Sequence, residues 1–218
     1  MSTEVSEVRQ KLIWGIVTLA LVWLGAASLL VFLKSKNRIK NPSPFWKEAA
    51  PEGSVLATFG AVPDFSLTER SGEAFSKSEL LGKTWIADFI FTSCPGQCPL
   101  MSAKMRHLQD LFPAAAPLRF VSFTVDPKRD TPEVLGQYAD RFAAEKDRWF
   151  FLTGPPEELE RVEKGFYMHT GDDPNMHSVR FALVDQKGGI RGFYDVMDPE
   201  GPGLKQLIYD TKILFQTE

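Results

Sequence analysis

The only two cysteines of the chain, Cys94 and Cys98, stand close together in the segment Phe89–Met105, which reads FIFTSCPGQCPLMSAKM. An apolar stretch that predicts a strand leads into this segment, and apolar residues at helical spacing follow it. Pro99 fits the first position of that helix, where its missing N–H is not needed, so Cys98 is predicted as the N-cap. Unpaired N–H groups and the helix dipole then favour the thiolate form of both cysteines. Because a thiolate is both a nucleophile and a metal ligand, the loop is predicted to do thiol chemistry, metal binding or both.

The spacing of the pair, Cys-x-x-x-Cys, is one residue longer than that of the usual redox motif. The alternative interpretation is a structural disulfide or two buried small side chains, in line with the general burial of cysteine. A structural bridge does not require a helix N-terminus, however. The strand, loop and helix around Cys94 and Cys98 therefore favour a chemically active pair.

A metal site would need a third ligand from elsewhere in the chain. Two thiolates suit a soft metal, and imidazole suits copper or zinc. Of the three histidines, His107 lies on the flank of the predicted helix, His169 lies in a polar loop, and His177 stands directly before a strand. A residue at a strand edge has a fixed direction, so the residues alone favour His177 over His169 without excluding the latter.

The apolar stretch from Leu12 to Leu33 contains no charged residue. As a helix it is about 33 Å long, enough for a bilayer core of about 30 Å, which predicts an uncleaved transmembrane anchor. The predicted organisation is a tail over residues 1–11, the anchor over 12–33, a proline-containing linker over 34–58 and one folded domain over 59–218. The net charge of -3 gives no indication of nucleic-acid binding.

The orientation of this anchor is ambiguous from charge alone. Arg9 and Lys11 precede the span, whereas four basic residues, Lys34, Lys36, Arg38 and Lys40, follow it. The positive-inside rule, taken literally, places the large domain in the cytoplasm.

The folded domain is predicted to be α/β. Apolar strand candidates at Trp85–Phe91, Leu118–Val125 and Trp149–Thr153 alternate with helices, and a hairpin and a closing helix follow. This alternation predicts a mainly parallel central sheet with helices on both faces. Active groups are then expected where the parallel strands end, which is where Cys94 and Asp126 lie. Asp130 precedes the predicted cap Thr131 and is interpreted as helix-start chemistry.

Three stretches, FTSCPGQCP, FTVDPKRDTPEVL and HSVRFALVDQKGGIRGFYD, resemble the Sco/SenC family, copper-handling proteins of cytochrome c oxidase assembly. The resemblance covers roughly residues 60–218 together with the N-terminal anchor. It implies a thioredoxin-like fold with peroxiredoxin-like additions, and a copper ion, Cu(I) or Cu(II), held by Cys94, Cys98 and His177. It also implies a single-pass protein of the bacterial inner membrane with its domain on the periplasmic side. We follow this placement, because long domains translocate largely regardless of charge.

Two carboxylates are secondary candidates. Asp126 matches the acidic residue of the family's Asp-Pro motif, where it either orients a ligand or simply caps the turn. Asp88 lies six residues before Cys94, as does the buried acid of thioredoxins, and burial is expected to raise its pKa. It either assists the thiol chemistry or is hydrogen-bonded to a neighbouring polar group.

The resemblance implies a membrane-anchored copper chaperone that loads the two-copper site in subunit II of cytochrome c oxidase. A periplasmic copper donor or thiol reductant would be a further partner. One alternative is a thiol-disulfide oxidoreductase that reduces the cysteines of that site, using Cys94 and Cys98 as a redox-active pair. Another is a redox or copper sensor, which fits the same residues.

Overall fold

The computed structural model of the chain describes residues 55–168, 179–198 and 201–217. The predicted tail, the predicted anchor and most of the predicted linker lie outside these ranges, as do His169 and His177. Among the described residues, no helix is both long enough and apolar enough to cross a membrane. The anchor over residues 12–33 therefore stays a prediction.

The described residues form eight strands and four α-helices. The strands are β1 (Gly60–Ala61), β2 (Ser66–Glu69), β3 (Ala74–Ser76), β4 (Thr84–Ile90), β5 (Leu118–Thr124), β6 (Trp149–Thr153), β7 (Arg180–Val184) and β8 (Gly189–Asp195). The helices are α1 (Gln97–Leu111), α2 (Pro132–Arg141), α3 (Pro156–Gly165) and α4 (Gly203–Thr217), and a short 3-10 helix covers Lys77–Leu80.

One mixed sheet contains all the described strands, in the order β1-β8-β7-β4-β5-β6-β2-β3. Only the β4–β5 and β5–β6 pairs are parallel. The other pairs, β1–β8, β2–β3, β2–β6, β4–β7 and β7–β8, are antiparallel. The prediction of a mainly parallel sheet is therefore wrong. The β7–β8 hairpin adds to one side of the parallel centre and the β2–β3 hairpin to the other, and the direction of such additions is not encoded in strand periodicity.

Strand β4 is buried along its whole length. A strand covered on both faces has a near-continuous apolar sequence, and its alternate residues belong to different layers. Trp85 and Phe89 belong to a core cluster that also contains Phe123 of β5 and Phe166 after α3. The Phe89 and Phe123 rings stack at 5.2 Å, and Phe166 meets Phe89 edge-on at 5.5 Å. This aromatic layer joins α3 to the centre of the sheet.

Helices α1 and α2 contact each other on the opposite face. The hydroxyls of Ser102 in α1 and Tyr138 in α2 form a buried hydrogen bond of 2.9 Å. The Tyr138 ring also contacts Phe151 of β6, with 6.2 Å between ring centroids. The buried apolar side of α1, which includes Met101 and Met105, is the stripe that the sequence predicts. Helix α1 thus starts where β4 ends and is packed along its length.

Helix α2 begins as the sequence predicts. The hydroxyl oxygen of Thr131 accepts a hydrogen bond from the Val134 backbone N–H at 3.4 Å, and Pro132 is the first helical residue. Threonine satisfies an otherwise unpaired N–H group there, and proline has no N–H to satisfy. The loop between β5 and this cap therefore has a fixed end.

A strap formed by Arg191 holds the N-terminal segment against β8. Its guanidinium donates to the carbonyl oxygens of Leu56 at 2.6 Å and Ala57 at 3.0 Å. The same group pairs with the Asp185 carboxylate at 3.0 Å. Strand β1 then runs antiparallel to β8, with Gly60 opposite Ile190. The chain is thus fixed to the sheet a few residues before its first strand.

Candidate metal and thiol site

The cysteine loop connects β4 to α1. The Cys94 backbone N–H donates to the Phe91 carbonyl at 3.2 Å, which turns the chain immediately after the strand. Helix α1 begins at Gln97, with Gly96 as its N-cap. Cys98 was predicted to be the N-cap, but it lies in the first turn of the helix, because the helix starts two residues before Pro99. Proline is still accepted there, since N–H groups of the first turn have no partner within the helix.

Cys94 is partly exposed and lies near the start of α1. Partial burial opposes its ionisation and is the largest single influence. The backbone N–H groups of Cys98, Gly96 and Gln97 and the Cys98 thiol act in the other direction. Together they outweigh burial, so the pKa of Cys94 is lowered from its ordinary value. This agrees with the expected effect of a helix N-terminus on a thiol.

Cys98 behaves in the opposite way. Its side chain is fully buried, and burial raises the pKa of its thiol far above the ordinary value. The backbone of Phe91 lowers this pKa somewhat, whereas Cys94 and Asp88 raise it further. The prediction that both cysteines favour the thiolate is thus wrong for Cys98, because the first turn of the helix points its sulfur into the core, where desolvation is stronger than the helix dipole.

The two cysteines are present as thiols and not as a disulfide. Their side chains are hydrogen-bonded to each other, so the sulfurs are neighbours. Cys94 is accessible and ionises more readily, whereas Cys98 is a buried thiol. Such a pair can bind a soft metal ion or exchange with a disulfide, because both reactions begin at the accessible thiolate.

Asp126 follows β5, at the same edge of the sheet as the cysteine loop. Its carboxylate pairs with the Arg129 guanidinium at 3.1 Å, and that guanidinium also donates to the Ser93 hydroxyl at 3.3 Å. Through Arg129, Asp126 is thus connected to Ser93, the residue before Cys94. Its carbonyl oxygen also accepts from the backbone N–H groups of Arg129 and Asp130, which form the predicted turn. Whether it also orients a metal ligand stays a prediction.

Asp130 has a role that the sequence analysis missed. It is fully buried, and its carboxylate accepts hydrogen bonds from three donor groups. The donors are the Thr92 backbone N–H at 3.1 Å, the Thr92 hydroxyl at 2.5 Å and the Thr124 hydroxyl at 2.5 Å. Helix-start chemistry was the wrong interpretation, because Thr131 caps α2. The available signal was a threonine at or just after the end of each of two adjacent parallel strands, where side chains from neighbouring loops meet.

Asp88 is fully buried in β4, as predicted, and burial raises its pKa to about 7. One carboxylate oxygen accepts from the Ser122 hydroxyl at 2.6 Å, and that hydroxyl accepts from the Trp149 indole at 2.9 Å. The second oxygen has no hydrogen-bond partner among the described residues. The hydrogen-bonded alternative is therefore present, and a role in thiol chemistry remains a prediction.

Among the described residues, no histidine lies beside the cysteines as a third metal ligand. His107 is exposed on α1 and lies nine residues beyond Cys98, about 13 Å along the helix axis. His177 and His169 lie outside the described ranges, so the predicted ligand set of Cys94, Cys98 and His177 stays a prediction. No group of three or more possible metal ligands is found within the part of the chain that the structure describes.

Comparisons with known proteins agree with this architecture. The SCO1/SenC family model matches residues 56–208. A SCO1 protein homolog of Bacillus subtilis is 36% identical over 141 residues, which are 62% of this chain and 73% of that protein. A structure of BsSco, a Sco-family cytochrome c oxidase assembly protein with a disulfide switch, has a TM-score of 0.65 and 30% identity. It covers 75% of this chain and 99% of its own.

A second solved structure is that of yeast Sco1 with copper bound. It has a TM-score of 0.60 and 26% identity, and covers 70% of this chain and 89% of its own. The predicted thioredoxin-like α/β fold is confirmed, with a mixed sheet in place of a mainly parallel one. The family model matches most of this chain, and the chain therefore belongs to the SCO1/SenC family.

Proposed function

We propose that this protein is a membrane-anchored copper chaperone of cytochrome c oxidase assembly. The observation that carries the proposal is the thiol pair of Cys94 and Cys98 at the start of α1, in a chain of the SCO1/SenC family. A related protein binds copper in its solved structure, and another is described as a cytochrome c oxidase assembly protein. The thiol chemistry of the loop fits a copper ion as cargo.

The proposed copper ligands are the sulfurs of Cys94 and Cys98 and the imidazole of His177. Two thiolates suit copper(I), and the imidazole makes copper(II) acceptable as well. Cys94 is the entry point, because it is accessible and its pKa is lowered. Cys98 retains its proton until copper displaces it, so binding releases a proton from the buried side of the site.

Transfer of copper to another protein requires ligand exchange at an accessible sulfur. Pro95, Gly96 and Gln97 are exposed between the two cysteines, so a second thiol can approach Cys94 from solvent. The proposed recipient is the two-copper site in subunit II of the oxidase. The proposed location is the bacterial inner membrane, with residues 12–33 as the anchor and the folded domain in the periplasm, where a periplasmic copper donor would supply the ion.

Loss of the imidazole tests the copper site. In the His177→Ala variant, the copper(I) affinity of the reduced protein should fall by at least the 10–100-fold typical of lost supporting groups around a metal, because one metal bond is missing. The Cys94/Cys98 reduction potential should change much less, since thiol–disulfide exchange requires only the two sulfurs. The measurement is competition with a copper(I) chelator, with His107→Ala and His169→Ala as matched controls that should keep nearly full affinity.

Two outcomes would contradict the assignment of His177 as the third copper ligand. One is unchanged affinity in His177→Ala, and the other is a loss of affinity in the His169→Ala control that equals or exceeds the loss at His177. The second outcome would leave copper binding intact as a function and move the third ligand to His169.

A second function, thiol–disulfide reduction of the oxidase's cysteines, is favoured by the asymmetry of the pair. The Cys94 thiolate would attack a partner disulfide, releasing one partner thiolate and forming a mixed disulfide. Cys98, after losing its proton, would attack the Cys94 sulfur and release the second partner thiolate. Two electrons would thus pass to the partner while Cys94 and Cys98 become a disulfide. A periplasmic thiol reductant would restore the pair.

Oxidase assembly in cells separates the two functions. If copper delivery is the task, both His177→Ala and Cys94→Ser should abolish assembly. Full assembly with His177→Ala, but none with Cys94→Ser, would favour the reductase.

A further inference from the structure

The buried carboxylate of Asp130 connects two loops at the edge of the sheet. Its three donors come from Thr92, two residues before Cys94, and from Thr124, the last residue of β5. Asp130 itself is fixed by its backbone N–H, which donates to the Asp126 carbonyl at 2.9 Å, and by the α2 cap that follows it. The carboxylate therefore ties the start of the cysteine loop to two well-packed elements.

The geometry points to Asp130 as the positioning residue of the cysteine loop. We infer that it holds Thr92, and through it Cys94, in the arrangement in which the Cys94 sulfur meets the N–H groups of α1. The part of this inference that concerns copper depends on the proposed function, whereas the part that concerns the thiols does not.

A carboxylate satisfies all three donors at this position, whereas an amide satisfies them only in part. All three groups that face Asp130 act as donors, and an ionised carboxylate has only acceptor sites. Hydrogen bonds to a charged acceptor contribute more than neutral ones, and their loss in a buried site leaves unsatisfied donors. Asparagine has nearly the same shape, but its NH2 group would face donors. Asp130→Asn should therefore release the loop with little change in packing.

Release of the loop should destabilise the reduced protein. The hydrogen bonds to Asp130, here called the Asp130 clamp, are present with Cys94 and Cys98 as thiols, so weakening them removes stabilisation from that state. In Asp130→Asn we expect the thiol–disulfide equilibrium constant to shift about tenfold toward the disulfide, which is about 30 mV. The copper(I) affinity of the reduced protein should fall about 10–100-fold, as it does when groups that orient metal ligands are removed.

Two variants at Thr92 separate positioning from general stability. Thr92→Val loses the hydroxyl donor but keeps the backbone donor and the side-chain shape, so it should give part of the Asp130→Asn effect. Thr92→Ser keeps the hydroxyl and should remain near the wild type. These variants also carry the test if Asp130→Asn does not fold.

Asp185→Asn is the matched control. Asp185 is also a buried carboxylate with several donors, including the backbone N–H groups of Lys187 and Gly189. It follows β7 at the opposite edge of the sheet, because Val184 pairs with Trp85 at the start of β4. Asp185→Asn should lower stability and leave the thiol equilibrium unchanged.

The measurements use the full chain in detergent. Glutathione redox titrations without copper give the thiol equilibrium, and chelator competition gives the copper(I) affinity. The inference is overturned if folded Asp130→Asn and Thr92→Val keep the wild-type thiol equilibrium, or if Asp185→Asn shifts it equally. If the wild type binds no copper(I) but Asp130→Asn still shifts the thiol equilibrium, the copper function fails and the positioning role of Asp130 stands.

Discussion

Cys94 and Cys98 have the same side chain, lie in one loop and differ in acid strength because of their surroundings. Cys94 is surrounded by backbone N–H groups, and Cys98 is enclosed by the core. Since the thiolate is the reactive form, acid strength and access act together on reactivity. The difference in acid strength and access between the two sulfurs is thus set by one turn of helix.

Alkylation should distinguish the two thiols. With iodoacetamide at pH 7, Cys94 of the reduced, folded protein should react at least ~10-fold faster than Cys98, because it is accessible and its pKa is lowered. Peptide mass spectrometry after timed quenching measures both rates. In denaturant the rates should converge, which controls for sequence effects. Comparable modification of Cys98 in the folded protein would show that the helix start opens readily.

Asp88 should make stability depend on pH in an unusual direction. Folded Asp88 keeps its proton up to about pH 7, whereas the unfolded residue loses it near 3.8. Between these values the folded state binds more protons, so the free energy of unfolding falls as pH rises from about 4 to about 7 and levels off above. The effect has an upper bound of roughly 4 kcal/mol.

Replacement of Asp88 by asparagine tests this linkage. Asp88→Asn should be more stable than the wild type at pH 8 and about equal to it at pH 4, because the amide does not titrate. Chemical denaturation at a series of pH values gives the comparison, with the exposed Glu79→Gln as control. If the difference between Asp88→Asn and the wild type is the same at both pH values, burial does not keep Asp88 protonated.

At the residue scale, the sequence predicts what depends on residue type and spacing. The position of the cysteine loop between β4 and α1 and the burial of Asp88 follow from patterns along the chain. The clamp at Asp130 was missed because its donors lie 38 and 6 residues away, and only the sheet register brings them together. The acid strength of Cys98 was missed because a shift of the helix start by two residues decides which way its sulfur points.

Among the elements, α3 packs on the sheet through Leu159, Val162 and the ring of Phe166, which directly follows the helix. Phe166 ends this helix and contacts Trp85, Phe89 and Phe123 with its fully buried ring. Since removal of a buried phenyl group leaves a cavity, Phe166→Ala should lower the free energy of unfolding by about 3–5 kcal/mol.

Denaturant unfolding of the purified variants measures this loss. Tyr209→Ala in α4, where the ring is 41% exposed, is the control and should lose less than about 1 kcal/mol. A loss below about 1 kcal/mol for Phe166→Ala would mean that α3 is held mainly by other contacts.

Strands with a long apolar pattern were predicted correctly, whereas the direction of strands was not, because it depends on which strands pair. The strand candidates at Trp85–Phe91 and Trp149–Thr153 agree with β4 and β6 within one residue. Strands β1 and β3 have two and three residues, too few for a recognisable alternation. The mixed sheet follows from which strand joins which edge, and this information lies in contacts between distant residues.

For the molecule as a whole, the topology across the membrane remains to be tested. We expect alkaline phosphatase fused to the C-terminus to be active, because the proposed periplasmic location allows its disulfides to form. A reporter that functions only in the cytoplasm should be inactive at the same position. The reverse pattern would agree with the positive charges after residue 33 and would contradict copper delivery in the periplasm.

The position of β1 decides at which edge of the sheet the proposed linker joins the domain. Gly60 of β1 pairs with Ile190, Ile190 with Val184 and Val184 with Trp85, so β1 lies at the edge where β4 starts, opposite the edge from which Cys94 follows. The 23 residues from Leu33 to the Arg191 strap at Leu56 span at most about 80 Å. If residues 12–33 cross the bilayer, Cys94 can therefore reach farther from the membrane than the linker alone allows, because the length of β4 separates it from the point where the linker joins the sheet.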